Sequence, residues 1–198
     1  MPHKPMLTVY SLSHAAVDFA CAFLVFRTML SAPELGLCLL IYNFCAFALQ
    51  MPFGLLADGW NRNAVTAAAG CLLAAAAYLP ALPALAAAVI AGVGNGLFHV
   101  GGGLDVLNDS RERSAALGIF VSPGAFGLYL GQILGRGGAV TAVLPVILLL
   151  AAGTAILLCA GKTYGGLVSR NAPAELSLPA GGKSAAVFLT VVVILRSY

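Results

Sequence analysis

Long apolar runs constrain the fold of this chain more than any other feature of its sequence. Each run has about 20 residues, enough to cross roughly 30 Å of hydrocarbon as an α-helix. The runs lack the alternation of about ten residues that is typical of a membrane β-barrel. Of the 198 residues, 61% are hydrophobic and only 9% are charged, which is far from the balance of a soluble domain. The sequence therefore predicts an all-α protein, a polytopic helix bundle in a lipid bilayer.

Turn-forming residues between the apolar runs delimit the predicted spans. A polar segment follows the sixth span, and a further apolar run begins near Ala185. That run has only about a dozen apolar residues, too few to cross a bilayer. We therefore expect a six-helix bundle over 1–160, an interdomain loop over 161–184 and the start of a truncated seventh helix over 185–198. The six predicted spans are 7–29, 35–57, 64–82, 84–106, 115–135 and 139–160.

The distribution of basic residues predicts the orientation. If the amino terminus is cytoplasmic, one side of the membrane holds most of the Lys and Arg residues, and the other side holds Arg27 and Arg136. The positive-inside rule favours this arrangement. We therefore expect a protein integral to the plasma (inner) membrane, with its amino terminus and the interdomain loop in the cytoplasm.

Charge and cysteine usage exclude several other classes of protein. The net charge of +3 comes without a dense basic cluster, so a nucleic-acid partner is not expected. All five cysteines lie in apolar runs and form no C-x-x-C or Cys/His spacing, so we interpret them as packing residues. The sequence predicts no metal and no cofactor.

The loop after the second span carries the most specific motif, Gly-Leu-Leu-Ala-Asp-Gly-Trp-Asn-Arg-Asn over residues 54–63. It resembles the G-x-L-A-D-R-x-G-R-K loop of the major facilitator superfamily. The resemblance implies half of a major facilitator fold, and a cytoplasmic latch in which Asp58 caps a helix end and pairs with basic groups nearby. Alternatively, Asp58 only ends a helix and Arg62 only sets topology. Positions that match the motif are Gly54, Ala57, Asp58 and Arg62; those that depart from it are Gly59, Asn61 and Asn63.

Three charged residues near the cytoplasmic end of the fourth span or just after it are expected to join this gating latch: Asp105, Arg111 and Arg113. The alternative is that they form surface ion pairs, which contribute little to stability.

The fifth span is rich in glycine and contains Pro123, and it resembles the fifth-helix motif of antiporters in the superfamily. Proline removes one backbone hydrogen bond and can kink the span. Glycines four residues apart form a smooth face on which another helix can approach closely. We expect this packing face at Gly124, Gly127, Gly131 and Gly135.

Four polar residues interrupt the first and fourth spans at matched depths. At 1.5 Å per residue, His14 and His99 each lie about 10 Å from the cytoplasmic end of their span, and Asp18 and Asn95 about 16 Å. Ionisable groups in hydrocarbon are costly and indicate function by default. Both helices line the central cavity in the superfamily, and the pattern resembles its fosmidomycin-resistance branch.

This resemblance and the matched depths predict a secondary active transporter that exports a small molecule or drug in exchange for protons. We expect Asp18 to carry the proton with His14 as its partner, since both side chains can exchange protons. His99 and Asn95 are expected to contact the small-molecule substrate. Asn43, on the second span, is either a further substrate contact or helix-packing glue.

Three alternatives remain open. His14 and Asp18 could simply neutralise each other while Asn95 bonds across helices. The truncated chain could be inactive without its missing carboxy-terminal half, or could act with a second copy of itself. An intramembrane enzyme with a metal at His14, Asp18 and His99 is the third alternative; we expect no enzyme, because no H-E-x-x-H spacing occurs.

Overall fold

A computed structural model describes residues 4–111, 114–169 and 171 of the chain. Within these residues the chain is helical, with short turns between helices and no strand. Five helices are long and apolar enough to cross a membrane, which confirms the prediction of an all-α, membrane-embedded protein. The helices are α1 (Lys4–Met29), α2 (Leu35–Trp60), α3 (Asn63–Ala76), α4 (Ala84–Asp109), α5 (Ser114–Gly137) and α6 (Val143–Tyr164).

Helix α3 is shorter than predicted. The predicted span of 64–82 is wrong at its carboxyl end, because the helix stops at Ala76 after 14 residues. At 1.5 Å per residue it is about 21 Å long, less than the roughly 30 Å of hydrocarbon. Proline disfavours a helical conformation in the residue before it, and Pro80 and Pro83 follow the end of α3. Hydropathy did not detect this end, because apolar residues also fill the turn.

The other predicted spans agree with helices to within a few residues. Helix α6 continues to Tyr164, so it extends into the predicted interdomain loop. Most of that loop, and the whole predicted seventh helix at 185–198, lie outside the described residues.

Helices α1 and α5 pack with almost no space between their backbones. Three glycines of α5, spaced four residues apart, lie against the backbone of α1. A Cβ atom at the first two would overlap a carbonyl oxygen of α1, and one at the third would lie 3.0 Å from another. Only glycine permits this distance. The contacts are Gly127 with Ala15, Gly131 with Phe19 and Gly135 with Phe23.

Glycines of α4 make a similar contact with α3. A Cβ atom at Gly94 would lie 2.6 Å from the backbone nitrogen of Ala74, and one at Gly101 would lie 2.5 Å from that of Ala67. Among the five long helices, α1 has the largest share of buried residues in its most apolar stretch and α2 has the smallest. Polar side chains on α1 and α4 are therefore held in the interior of the bundle.

Helix α2 contains a π-helical turn at Phe44–Ala48, where it crosses α4. Gly96 of α4 lies so near this turn that a Cβ atom there would be 3.0 Å from the carbonyl oxygen of Cys45. Such turns are rare and often mark functional sites. The crossing brings Tyr42 of α2 into contact with Asn95 of α4.

Candidate functional site

Two histidines from different helices meet in the interior of the bundle. His14 lies on α1, and His99 lies 85 residues later on α4. Their Nε2 atoms are 3.0 Å apart, a normal hydrogen-bond distance. The sequence placed both residues at one depth, and the packing of α1 beside α4 brings them into contact.

Asp18 completes an ionisable cluster, by which we mean the side chains of His14, Asp18 and His99. Asp18 lies one turn after His14 on α1, and its Oδ2 atom is 3.2 Å from His14 Nε2. The His14 side chain is 4% exposed and that of Asp18 is 15% exposed. The cluster is therefore enclosed at His14 and partly accessible at Asp18.

Hydrogen bonds determine where the hydrogens of the cluster lie when both imidazoles are neutral. His99 Nδ1 is 2.9 Å from the backbone carbonyl oxygen of Asn95, which can only accept. His99 therefore carries its hydrogen on Nδ1, and its Nε2 is an acceptor. The hydrogen between the rings then belongs to His14 Nε2, within reach of Asp18 as well. With Asp18 ionised the cluster has a charge of −1, and one added proton brings it to zero.

Two buried polar atoms beside the cluster have no hydrogen-bond partner among the described residues. One is Nδ1 of His14, and the other is Oδ1 of Asn95. The amide nitrogen of Asn95 donates to the Tyr42 hydroxyl over 3.0 Å. Buried polar atoms are nearly always paired, so unpaired atoms at a site indicate a place where a water, ion or ligand can bind.

Aromatic rings and a glycine hold the cluster in place. The ring of Phe120 is centred 4.7 Å from that of His14, and the ring of Phe98 is 5.8 Å away in an edge contact. A Cβ atom at Gly124 of α5 would overlap Asp18 and lie 2.6 Å from Cδ2 of His14. Gly124 therefore does more than pack helices: its lack of a side chain leaves room for the ionisable groups.

The cluster also has the donor set of a metal site. His14, Asp18 and His99 each offer one ligand atom, and these atoms all lie within 4.8 Å of one another. Neutral imidazole and carboxylate are ligands that suit Zn²⁺ and related ions. Sequence analysis found no local metal motif, because the ligands come from helices far apart in the chain.

A second set of polar side chains lies near the carboxyl end of α4, around Asp105. The hydroxyl of Tyr10 donates a hydrogen bond of 2.6 Å to Oδ2 of Asp105, and Ser169 donates one of 3.2 Å to Oδ1. Asp105 is 5% exposed. Asp105 is thus buried and bound by two hydroxyl groups, which does not suit the alternative of a surface ion pair; its expected place in the gating latch stays a prediction. Sequence analysis missed Tyr10 and Ser169, because their partner is distant in the chain.

The chain after α6 returns to the loop that joins α2 and α3. The backbone nitrogen of Asn171 donates to the Asn61 side chain over 2.8 Å. The amides of Asn63 and Asn171 bond each other over 2.6 and 2.9 Å, and Asn171 also donates to the carbonyl oxygen of Ala57. Asn61 and Asn63 are two of the positions at which the loop departs from the major facilitator motif. In this structure Asn61 and Asn63 instead form hydrogen bonds with Asn171, the last residue that is described.

Two other residues of the predicted latch, Asp58 and Arg62, lie in or beside this loop, and Arg111 and Arg113 follow α4 in the sequence. Asp58 is half-buried and Arg62 is exposed, and no ion pair joins them in the part of the chain that the structure describes. Arg111 is exposed and has a left-handed backbone, with φ 53°. Arg113 lies outside the described residues. The latch stays a prediction.

Two other predicted residues take ordinary helix positions. Asn43 donates its amide to the carbonyl oxygen of Leu39 on its own helix, over 2.8 Å. Pro123 lies inside α5, directly before Gly124.

The sequence did not reveal Tyr42, Phe98 and Phe120, because an aromatic residue within an apolar span gives no sign that it contacts a polar site.

Comparisons with known protein families, curated proteins and solved structures find no match to the chain.

Proposed function

We propose that the chain is the amino-terminal half of a secondary active transporter of the major facilitator type. It moves a small molecule across the plasma (inner) membrane by alternating access. One observation carries the proposal: three ionisable side chains from two helices meet inside an apolar bundle. Groups of this kind are costly in a membrane, and they typically mark ion or substrate pathways.

The cluster is the site of the coupling ion, a proton, with Asp18 as its carrier and His14 as its partner. Asp18 is suited to exchange with water because its side chain is partly exposed, whereas His14 is enclosed. His99 contacts His14 directly, so substrate binding at His99 would depend on whether the proton site is occupied. Asn95 has an unpaired side-chain oxygen, which supports its role as a substrate contact.

The finer features of the proposal rest on the resemblance and on charge distribution. Export of a drug-like substrate follows from the likeness to the fosmidomycin-resistance branch. The amino terminus faces the cytoplasm by the positive-inside rule. The gate involves Asp58, Arg62, Asp105, Arg111 and Arg113. A carboxy-terminal half, or a second copy of the chain, completes the translocation pathway.

Proton movement driven by a substrate gradient tests the proposal. The complete transporter, this chain together with the half that completes its pathway, is reconstituted into liposomes that contain a pH-sensitive dye, and fosmidomycin is added outside as the probe. We expect a luminal pH change with the wild type and a loss of at least about tenfold with Asp18→Asn, since the amide cannot carry a proton.

Glu34→Gln is the matched control, because Glu34 is an exposed carboxylate in the turn before α2. It should couple like the wild type. Normal coupling by Asp18→Asn would show that Asp18 is not the proton carrier. Fosmidomycin flux without any pH change would contradict proton coupling altogether.

A further inference from the structure

We propose that His14, Asp18 and His99 bind one divalent transition-metal ion of the Zn²⁺ class. Two imidazole nitrogens and one carboxylate oxygen, from α1 and α4, converge in the interior of the bundle. This donor set matches the protein ligands of open Zn²⁺ sites, which combine histidine and carboxylate. A bound ion and a proton would compete for Asp18, and metal binding is measured without transport, so the two proposals are tested separately.

Two of the three distances between ligand atoms are close to those of a coordination sphere, and all three atoms lie within 4.8 Å of one another. Ligand bonds of 2.0–2.1 Å in a tetrahedron place neighbouring ligand atoms roughly 3.3 Å apart. His14 Nε2 is 3.0 Å from His99 Nε2 and 3.2 Å from Asp18 Oδ2. Small side-chain shifts would therefore admit an ion among the three atoms.

His99 is already oriented as a metal ligand. Its Nδ1–H group donates to the backbone carbonyl oxygen of Asn95, so the lone pair of Nε2 points into the cluster. A hydrogen bond from the second ring nitrogen is the usual support for a ligating histidine, because it fixes the tautomer and the ring orientation. The carbonyl belongs to the rigid backbone of α4, one turn earlier.

His14 can become a ligand by a change of tautomer. Its Nε2 carries the hydrogen that lies between the two rings, and moving this hydrogen to Nδ1 frees the lone pair of Nε2 for a metal ion. The ion then takes the place of that hydrogen between the two ring nitrogens. The His14 side chain is 4% exposed and its Nδ1 has no hydrogen-bond partner among the described residues, so His14, unlike His99, lacks the supporting hydrogen bond from its second ring nitrogen.

The surroundings favour binding and provide access. Phe98 and Phe120 enclose His14, and Gly124 brings α5 against it, so this ligand cannot turn away into solvent. Charge interactions are stronger in such an apolar setting than in water. Asp18 retains some exposure, which gives an ion a route to the cluster. Three protein ligands leave a fourth position for water or a small anion.

Equilibrium dialysis against Zn²⁺ tests the proposal with the full chain in lipid nanodiscs. We expect about one ion per chain for the wild type. The variants His99→Gln and Asp18→Asn each remove one ligand and should weaken binding at least about 100-fold, more than the effect of losing an outer-shell partner. His3→Gln is the matched control, because His3 is the third histidine of the chain; this variant should bind as the wild type does.

Co²⁺ on the wild-type protein gives a second measurement that does not depend on folded variants. Nitrogen and oxygen ligands produce ligand-field bands in the visible spectrum, whereas cysteine ligands add an intense thiolate-to-metal charge-transfer band. We expect the first pattern without the second, since the five cysteines form no ligand cluster with these residues among those the structure describes. The proposal is overturned if the wild type binds no metal, if binding survives both ligand variants, or if the spectrum shows thiolate ligation.

Discussion

The Tyr10 hydroxyl supports a carboxylate that the bundle buries. It donates a hydrogen bond of 2.6 Å to Asp105, across 95 residues of sequence. We predict that Tyr10→Phe lowers the free energy of unfolding by about 1–3 kcal/mol, the usual cost of leaving a buried polar group with one partner fewer. Thermal unfolding of the purified protein in detergent measures the effect as a lower melting temperature.

Tyr129→Phe is the control for this prediction. Tyr129 is 61% exposed on α5, so the loss of its hydroxyl should change stability by less than about 0.5 kcal/mol. Equal melting temperatures for the two variants would mean that the bond to Asp105 contributes nothing measurable.

Individual polar residues in the apolar spans were predictable, but their partners were not. His14, Asp18 and His99 are conspicuous because ionisable groups are rare within runs of apolar residues. Tyr42 and Phe120 do not stand out in this way, because they are aromatic residues within apolar spans. Their contacts with Asn95 and His14 depend on how four helices cross, and hydropathy along one helix does not contain that information.

The contact between α1 and α5 depends on glycines that leave room for a neighbouring backbone. We predict that Gly131→Ala destabilises the protein by about 1–3 kcal/mol, as overpacking of a close interface does. The added methyl group would overlap the carbonyl oxygen of Phe19 and lie 2.9 Å from Cβ of Ala22. Thermal unfolding again provides the measurement.

The matched control for this prediction is Gly118→Ala in the same helix, where a Cβ atom meets nothing within 4 Å. Alanine favours helix over glycine by up to about 1 kcal/mol, so this variant should be as stable as the wild type or more stable. A stable Gly131→Ala protein would show that α1 and α5 can separate without cost.

The sequence predicts the presence of each long helix better than it predicts where a helix ends. The five long helices are present where apolar runs of about 20 residues occur, because each must satisfy its backbone within the span. The end of α3 was not predicted, since the apolar residues of the following turn extend the hydropathy signal past Ala76. Pro80 and Pro83 follow the end of the helix, and hydropathy alone places that end too late.

The orientation of the whole protein can be tested from the two sides of the membrane. With a cytoplasmic amino terminus, the turn at Glu34 faces outward and the loop at Arg62 faces the cytoplasm. We predict that a membrane-impermeant maleimide labels Glu34→Cys on intact cells, and labels Arg62→Cys only after permeabilisation. Mass shift of the purified protein measures the labelling.

The wild type is the background control for this labelling. Four of its five cysteines are buried and Cys159 is half-buried, so it should react little. The opposite pattern, with Arg62→Cys labelled on intact cells and Glu34→Cys protected, would reverse the proposed orientation.

The order of residues along the chain is enough to predict a helical membrane protein and to single out the polar residues of its spans. Both conclusions follow from each span taken alone, because the cost of exposing polar groups to hydrocarbon acts locally. The contacts between spans follow from helix packing instead: His14 lies 3.0 Å from His99, Asp18 joins them, and Tyr10 bonds Asp105. The partners on different helices are 85 or more residues apart in the chain, and they meet because glycine allows the helices to pack closely.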